Sequence, residues 1–141
     1  MRSFFVGTSV LLYAVGDEHP ERQDSRSLLA AVTQGELRLH ASVEAIQEFL
    51  HHRMRRSDRV KAVAQARLTT NLLVLHASDS AVLARAIDLV EGTKIRGRDA
   101  IHAATALLHG FGSIVTTDTD FNGIPGIERL APAQALAMLS Q

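Results

Sequence analysis

Apolar residues follow two patterns along this chain: short unbroken runs, and longer stretches in which an apolar side chain returns every third or fourth place. Phe4 to Val6 is the first short run and predicts a buried strand. Thr8 or Ser9 can cap the helix after it, which carries Val10, Leu11, Leu12, Tyr13 and Ala14. Pro20 suits the first turn of a second helix running to about Gln34, with Leu28, Leu29 and Val32 on one face and Gly35 ending it. Leu37 to His40 reads as a second strand.

The same alternation continues. Ser42 is placed to cap a helix through Met54, with Val43, Ile46, Phe49 and Leu50 turned inward, and Ser57 opens another reaching about Thr69. Leu72 to Leu75 is a short strand or an extended link, and Ser78 opens a helix that Gly92 breaks. Asp99 begins an alanine-rich helix stopped at Gly110, Ser113 to Thr117 is a clear strand, and Ile127 to Leu130 is the last before a helix from Pro132. Strands that are apolar runs, alternating with helices, predict a mostly parallel sheet of about five strands covered on both faces, a three-layer α/β/α arrangement. No repeat or linker divides the 141 residues, so residues 1–141 read as one domain, large enough to bury roughly two thirds of its unfolded surface.

Composition narrows the function. Formal charge is zero, so attraction to an anionic partner has to come from a local patch. Cysteine is absent, which excludes disulfides and thiolate metal sites, and the few aromatic residues argue against a stacking platform for single-stranded RNA. Arg2 and the apolar run to Val15 have the outline of a secretory signal, but Gly7-Thr8-Ser9 interrupts the run and it is too short to span a bilayer. The expectation is a soluble, cytoplasmic protein with no membrane partner.

The chemistry lies in acids at the ends of elements. Ligands of open parallel sheets bind at the carboxyl ends of strands, where Gly7 and Asp118 both stand. Asp118 and Asp120 leave the late strand together, although aspartate in a turn also serves simply to cap backbone. Asp99 starts a helix, where the dipole alone favours a carboxylate by about 0.3–1 kcal/mol. Glu48, one helical turn after Glu44, sits in a more apolar stretch and is the better candidate of the two. Gathered in one crevice, Glu48, Asp99, Asp118 and Asp120 would raise each other's pKa unless a cation joined them. All-oxygen ligands select Mg²⁺ or Mn²⁺, and such an ion can polarise a phosphodiester and activate an attacking water. The run His51 to Lys61 concentrates positive charge; Arg53, Arg55 and Arg56, with Arg98, are the candidate RNA contacts, and a solvated helix end explains the run equally well. His102 reads as a packing residue, and Thr8, Ser9, Thr116 and Thr117 as caps or as hydrogen-bonding supports for the carboxylates.

In order along the chain these blocks are a strand into Thr8-Ser9-Val10-Leu11-Leu12-Tyr13-Ala14, then Gln47-Glu48-Phe49, Arg98-Asp99-Ala100-Ile101-His102-Ala103-Ala104 and Thr116-Thr117-Asp118-Thr119-Asp120-Phe121. The set resembles PIN domains of the VapC toxin type over essentially the whole chain. The resemblance implies an Mg²⁺- or Mn²⁺-dependent endoribonuclease toxin leaving 5′ phosphate and 3′ hydroxyl ends, usually dimeric and neutralised by a VapB-type antitoxin. It places Glu48, Asp99 and Asp118 at the acidic motif positions, with Asp120 as an accessory acid. The departure is Gly7, where the family carries an aspartate before Thr-Ser, so weak metal binding and low cleavage are expected. The alternative is a catalytically dead domain that only binds antitoxin or RNA. A small-molecule phosphatase fits worse, because its Asp-x-Asp should follow the first strand and Asp118-Thr119-Asp120 follows a late one.

Overall fold

The computed structural model describes residues 1–140. Strand β1 (Arg2–Phe5) leads into helix α1 (Thr8–Val15), and helix α2 (Arg22–Thr33) precedes β2 (Leu37–Ser42). Helices α3 (Val43–Arg56) and α4 (Arg59–Leu72) follow, then β3 (Leu73–His76), α5 (Ser80–Gly92), α6 (Gly97–Leu108), β4 (Ser113–Val115), β5 (Glu128–Leu130) and α7 (Pro132–Leu139).

All strand pairs are parallel: β1 with β2, β2 with β3, and β4 with β5. The two ladders meet beyond the end of β1, where Val6 bridges Val115. Gly7 donates its N–H to the Val115 carbonyl at 2.9 Å, while Val6 N–H still reaches the His40 carbonyl on the other side at 2.8 Å. The spatial order is therefore β3-β2-β1-β4-β5, and it reverses direction between β1 and β4. Alternate residues of the central strands enter opposite faces. Phe4, Val6 and Val115 pack with Leu11, Leu28, Phe49, Ala66 and Ala135 from α1, α2, α3, α4 and α7. Phe5 and Ile114 pack on Val82, Ala86, Ala100 and Ala103 from α5 and α6. This is the three-layer parallel arrangement that the apolar runs predict.

The structure moves several helix starts by a residue or two. Gly7, in extended conformation, holds the N-cap of α1 without a side-chain bond, so neither Thr8 nor Ser9 caps it. Asp58 caps α4 in place of Ser57, accepting from Lys61 N at 2.7 Å, and Asp79 caps α5 in place of Ser78, accepting from Val82 N at 3.0 Å. Carboxylates win because a charged acceptor bonds the free amides and meets the helix dipole as well. Ser42 does cap α3, accepting from Ala45 N at 3.2 Å. On that helix Val43 lies outside, 44% exposed, and Ala45 is buried in its stead.

Candidate functional site

The reversal of strand order between β1 and β4 opens a crevice at their carboxyl ends, the usual ligand position of open α/β sheets. Helix α6 starts over this crevice and brings Asp99 in its first turn. A short 3₁₀ turn, Thr119–Phe121, folds Asp120 back, its N–H bonded to Asp118 Oδ1 at 2.9 Å. Asp99, Asp118 and Asp120 thereby each offer a carboxylate oxygen within 4.8 Å of the others. Asp99 and Asp118 edge a small pocket of about 200 Å³ that is also lined by Thr8, Ser9, Glu48 and His102.

Hydroxyls hold the floor in place. Ser9 Oγ and Thr116 Oγ1 are 3.0 Å apart, Ser9 Oγ accepts from Thr117 N at 3.3 Å, and Thr116 Oγ1 accepts from Asp118 N at 3.1 Å. These bonds fasten the first turn of α1 to the end of β4. Sequence reasoning raised a supporting role for Ser9 and Thr116 but preferred capping; the structure assigns them to this junction.

Glu48 reaches the crevice from α3 by a bond that the sequence did not indicate. His102, buried on α6, brings Nε2 to 2.6 Å from Glu48 Oε1 and Nδ1 to 2.6 Å from Ser42 Oγ. Ser42 already accepts from Ala45 N, so it uses its own proton on Nδ1, leaving Nε2–H for the carboxylate. The signal available in the sequence was His102 three places after Asp99, on the same face of one helix. Glu48 stands outside the tight three-acid cluster, with one oxygen engaged by His102.

Electrostatics match unbalanced negative charge. Burial and then Asp118 push the Asp99 carboxyl above its usual range; His102 next pulls it down, and Glu48 and Asp120 add weaker upward pushes. Among the described residues the one arginine paired with a carboxylate is Arg22, with Glu18, so no arginine or lysine neutralises the three aspartates. Three converging oxygens without a protein counter-charge suit a hard divalent cation. Gly7 contributes no side chain to this set. A Cβ built there lies 3.2 Å from both Cβ and Oγ1 of Thr116, so any larger residue requires Thr116 to give by a few tenths of an ångström.

The candidate cations divide. Arg55, Arg56 and Arg98 are exposed and line a second pocket with Glu48, His51 and His52. Arg53 is 9% exposed and its Nε donates to Gln65 Oε1 at 3.0 Å, which ties α3 to α4. Its position makes it first a helix-pairing residue.

Residues 4–127 match the PIN domain. The chain belongs to the PIN-domain family. Among curated PIN relatives, ribonuclease VapC7 of Mycobacterium tuberculosis is 36% identical over 131 residues, covering 91% of this chain and 90% of the relative. Ribonuclease VapC23 of the same species is 32% identical over 117 residues, covering 81% and 91%. Among solved structures, DNA-bound VapBC from Salmonella typhimurium superposes with a TM-score of 0.73 at 16% identity over 94% of this chain and 99% of that one. Mycobacterium tuberculosis VapC20, described as a Sarcin-Ricin loop cleaving toxin, gives 0.71 at 17% identity over 86% and 95%. The PIN fold and its VapC-type relatives thus agree with the crevice read from the strands. Among the described residues no helix is long and apolar enough to cross a membrane.

Proposed function

We propose that this PIN domain, acting as one unit over residues 1–141, is the endoribonuclease toxin of a toxin–antitoxin pair, weakened by Gly7. The observation that carries the reading is the convergence of Asp99, Asp118 and Asp120 within 4.8 Å at the β1/β4 crevice. Relatives named as VapC ribonucleases and neighbours solved as VapBC complexes support an RNA substrate and a VapB-like antitoxin. A homodimer is part of the same reading, by resemblance to the family.

Asp99, Asp118 and Asp120 would hold Mg²⁺ or Mn²⁺, with Glu48 beside them. When bound, the ion supplies charge to the scissile phosphate and lowers the pKa of an attacking water. Glu48, fixed by His102, accepts a proton or orients water at its other oxygen. Asp120, exposed at the turn, completes the carboxylate wall on the solvent side. Arg55, Arg56 and Arg98 meet the RNA backbone next to that wall.

Gly7 removes a carboxylate from the strand end closest to the cluster, so cation affinity and cleavage are both low in this chain. The expected outcome is that Gly7→Asp cleaves an RNA pool at least about tenfold faster in Mn²⁺, the usual scale for perturbing a metal's surroundings. Equal rates for the two chains would reject the assignment of Gly7 as the missing ligand. The second reading, a domain that binds antitoxin or RNA without cutting, is favoured by the Thr116 crowding at Gly7, which is compatible with a site no longer built for a side chain there. It predicts tight antitoxin binding and no cleavage by either chain.

A further inference from the structure

Resting on the ribonuclease reading, we infer that the hollow between α1, the following loop and the end of α3 is a nucleobase subsite, in which Tyr13 and His19 form the stacking wall for a base adjoining the scissile phosphate. The hollow holds about 520 Å³, inside the roughly 300–1,000 Å³ range of small-ligand sites. One wall is an aromatic pair: the Tyr13 and His19 rings stack with centroids 4.2 Å apart and planes 25° from parallel. The imidazole is fixed from behind, its Nδ1 accepting from Glu21 N at 3.1 Å. That bond orients the ring before any ligand arrives. The facing wall carries His52 and Arg56.

Continuity with the carboxylates gives the hollow its meaning. Ser9 and Leu12 line both it and the acidic pocket, and His52 and Arg56 line both it and the cationic pocket that Glu48 borders. Carboxylates, cations and aromatic rings therefore lie side by side around Leu12. A nucleotide strand presents the same sequence of chemistry: a phosphate to be attacked, a neighbouring phosphate, and a flat base with a π-face. His52 supports the assignment. Burial, then the nearby Arg56, Arg53 and Arg55, holds its pKa below the usual value, so the ring offers that wall a flat surface without added charge.

The test uses short dye-labelled single-stranded RNA, and the same strand with abasic ribose, titrated into the full chain with Ca²⁺ by fluorescence anisotropy. The base-containing strand should bind about tenfold or more tightly than the abasic one, within the usual worth of one stacked base. Tyr13→Ala and His19→Ala should each remove that difference, Tyr13→Phe should keep it, and Arg56→Ala should weaken both strands alike. His19 lies on an exposed loop, so its variant tests the wall even if Tyr13→Ala unfolds. Equal binding of abasic and normal strands, or a base preference untouched by His19→Ala, would overturn the subsite. Failure of the nuclease reading looks different: base-dependent binding would persist while Gly7→Asp never cleaves.

Discussion

Glu48 and His102 are 54 positions apart in sequence and 2.6 Å apart in the fold. The imidazole holds one Glu48 oxygen, which under the proposed function makes His102 a positioning residue. In a Gly7→Asp background, His102→Ala should lower cleavage by roughly ten- to hundredfold, as loss of such supports does elsewhere. His102→Gln, whose amide can still donate to the carboxylate, should recover a good part of it. Unchanged cleavage in the alanine variant would remove His102 from the site's architecture. This pair was the least legible feature of the sequence, since no local pattern reveals which buried histidine meets which acid across two helices. The aspartates were more legible because strand ends and a helix start placed them without side-chain detail.

At the scale of elements, the strands and helices were readable because their apolar spacing reports directly on burial. Helix starts were less so. Serine and aspartate stand next to each other at Ser57-Asp58 and at Ser78-Asp79, both types cap well, and only the folded backbone decides between them. The β2–β3 edge carries a consequence that neither strand shows alone. His40 Nδ1 lies 2.9 Å from His76 Nε2, and the His109 ring sits 4.1 Å from that of His76. Burial first, then His76, Arg38 and His109, lower the His40 pKa; burial and then His109 lower that of His76. A base with a depressed folded pKa takes up its proton more readily in the unfolded chain, so its contribution is present above the unfolded value near 6.5 and is lost as pH falls below it. The melting temperature should therefore drop between about pH 7.5 and 5.5. A His40→Gln, His76→Gln double variant should show a shallower fall, and an identical fall would contradict the assignment.

At the scale of the whole molecule, the site exists only because the sheet order reverses between β1 and β4. That reversal brings the end of the first strand, the late Asp118-Thr119-Asp120 turn and the start of α6 to one crevice, although 99 and 118 are far from 7 in the chain. Sequence patterns predict a parallel sheet but not which strands adjoin, because parallel pairing leaves no register mark in the intervening loops. The family resemblance, resting on the order of the four blocks, supplied what periodicity could not. Protons and a cation compete for the same cluster, and the sign follows from Asp99. Its raised folded pKa makes ionisation unfavourable to the metal-free fold, so that fold loses stability as pH rises from the unfolded carboxylate range through the raised value, while cation affinity grows over the same interval. Calorimetric titration with Mn²⁺ at neutral pH, on this chain, on Gly7→Asp and on Asp99→Asn, is the most direct test of the account. It predicts one weak site that Gly7→Asp tightens by about tenfold or more, that loses affinity as pH is lowered, and that Asp99→Asn abolishes; equal binding by the starting chain and Asp99→Asn would contradict it.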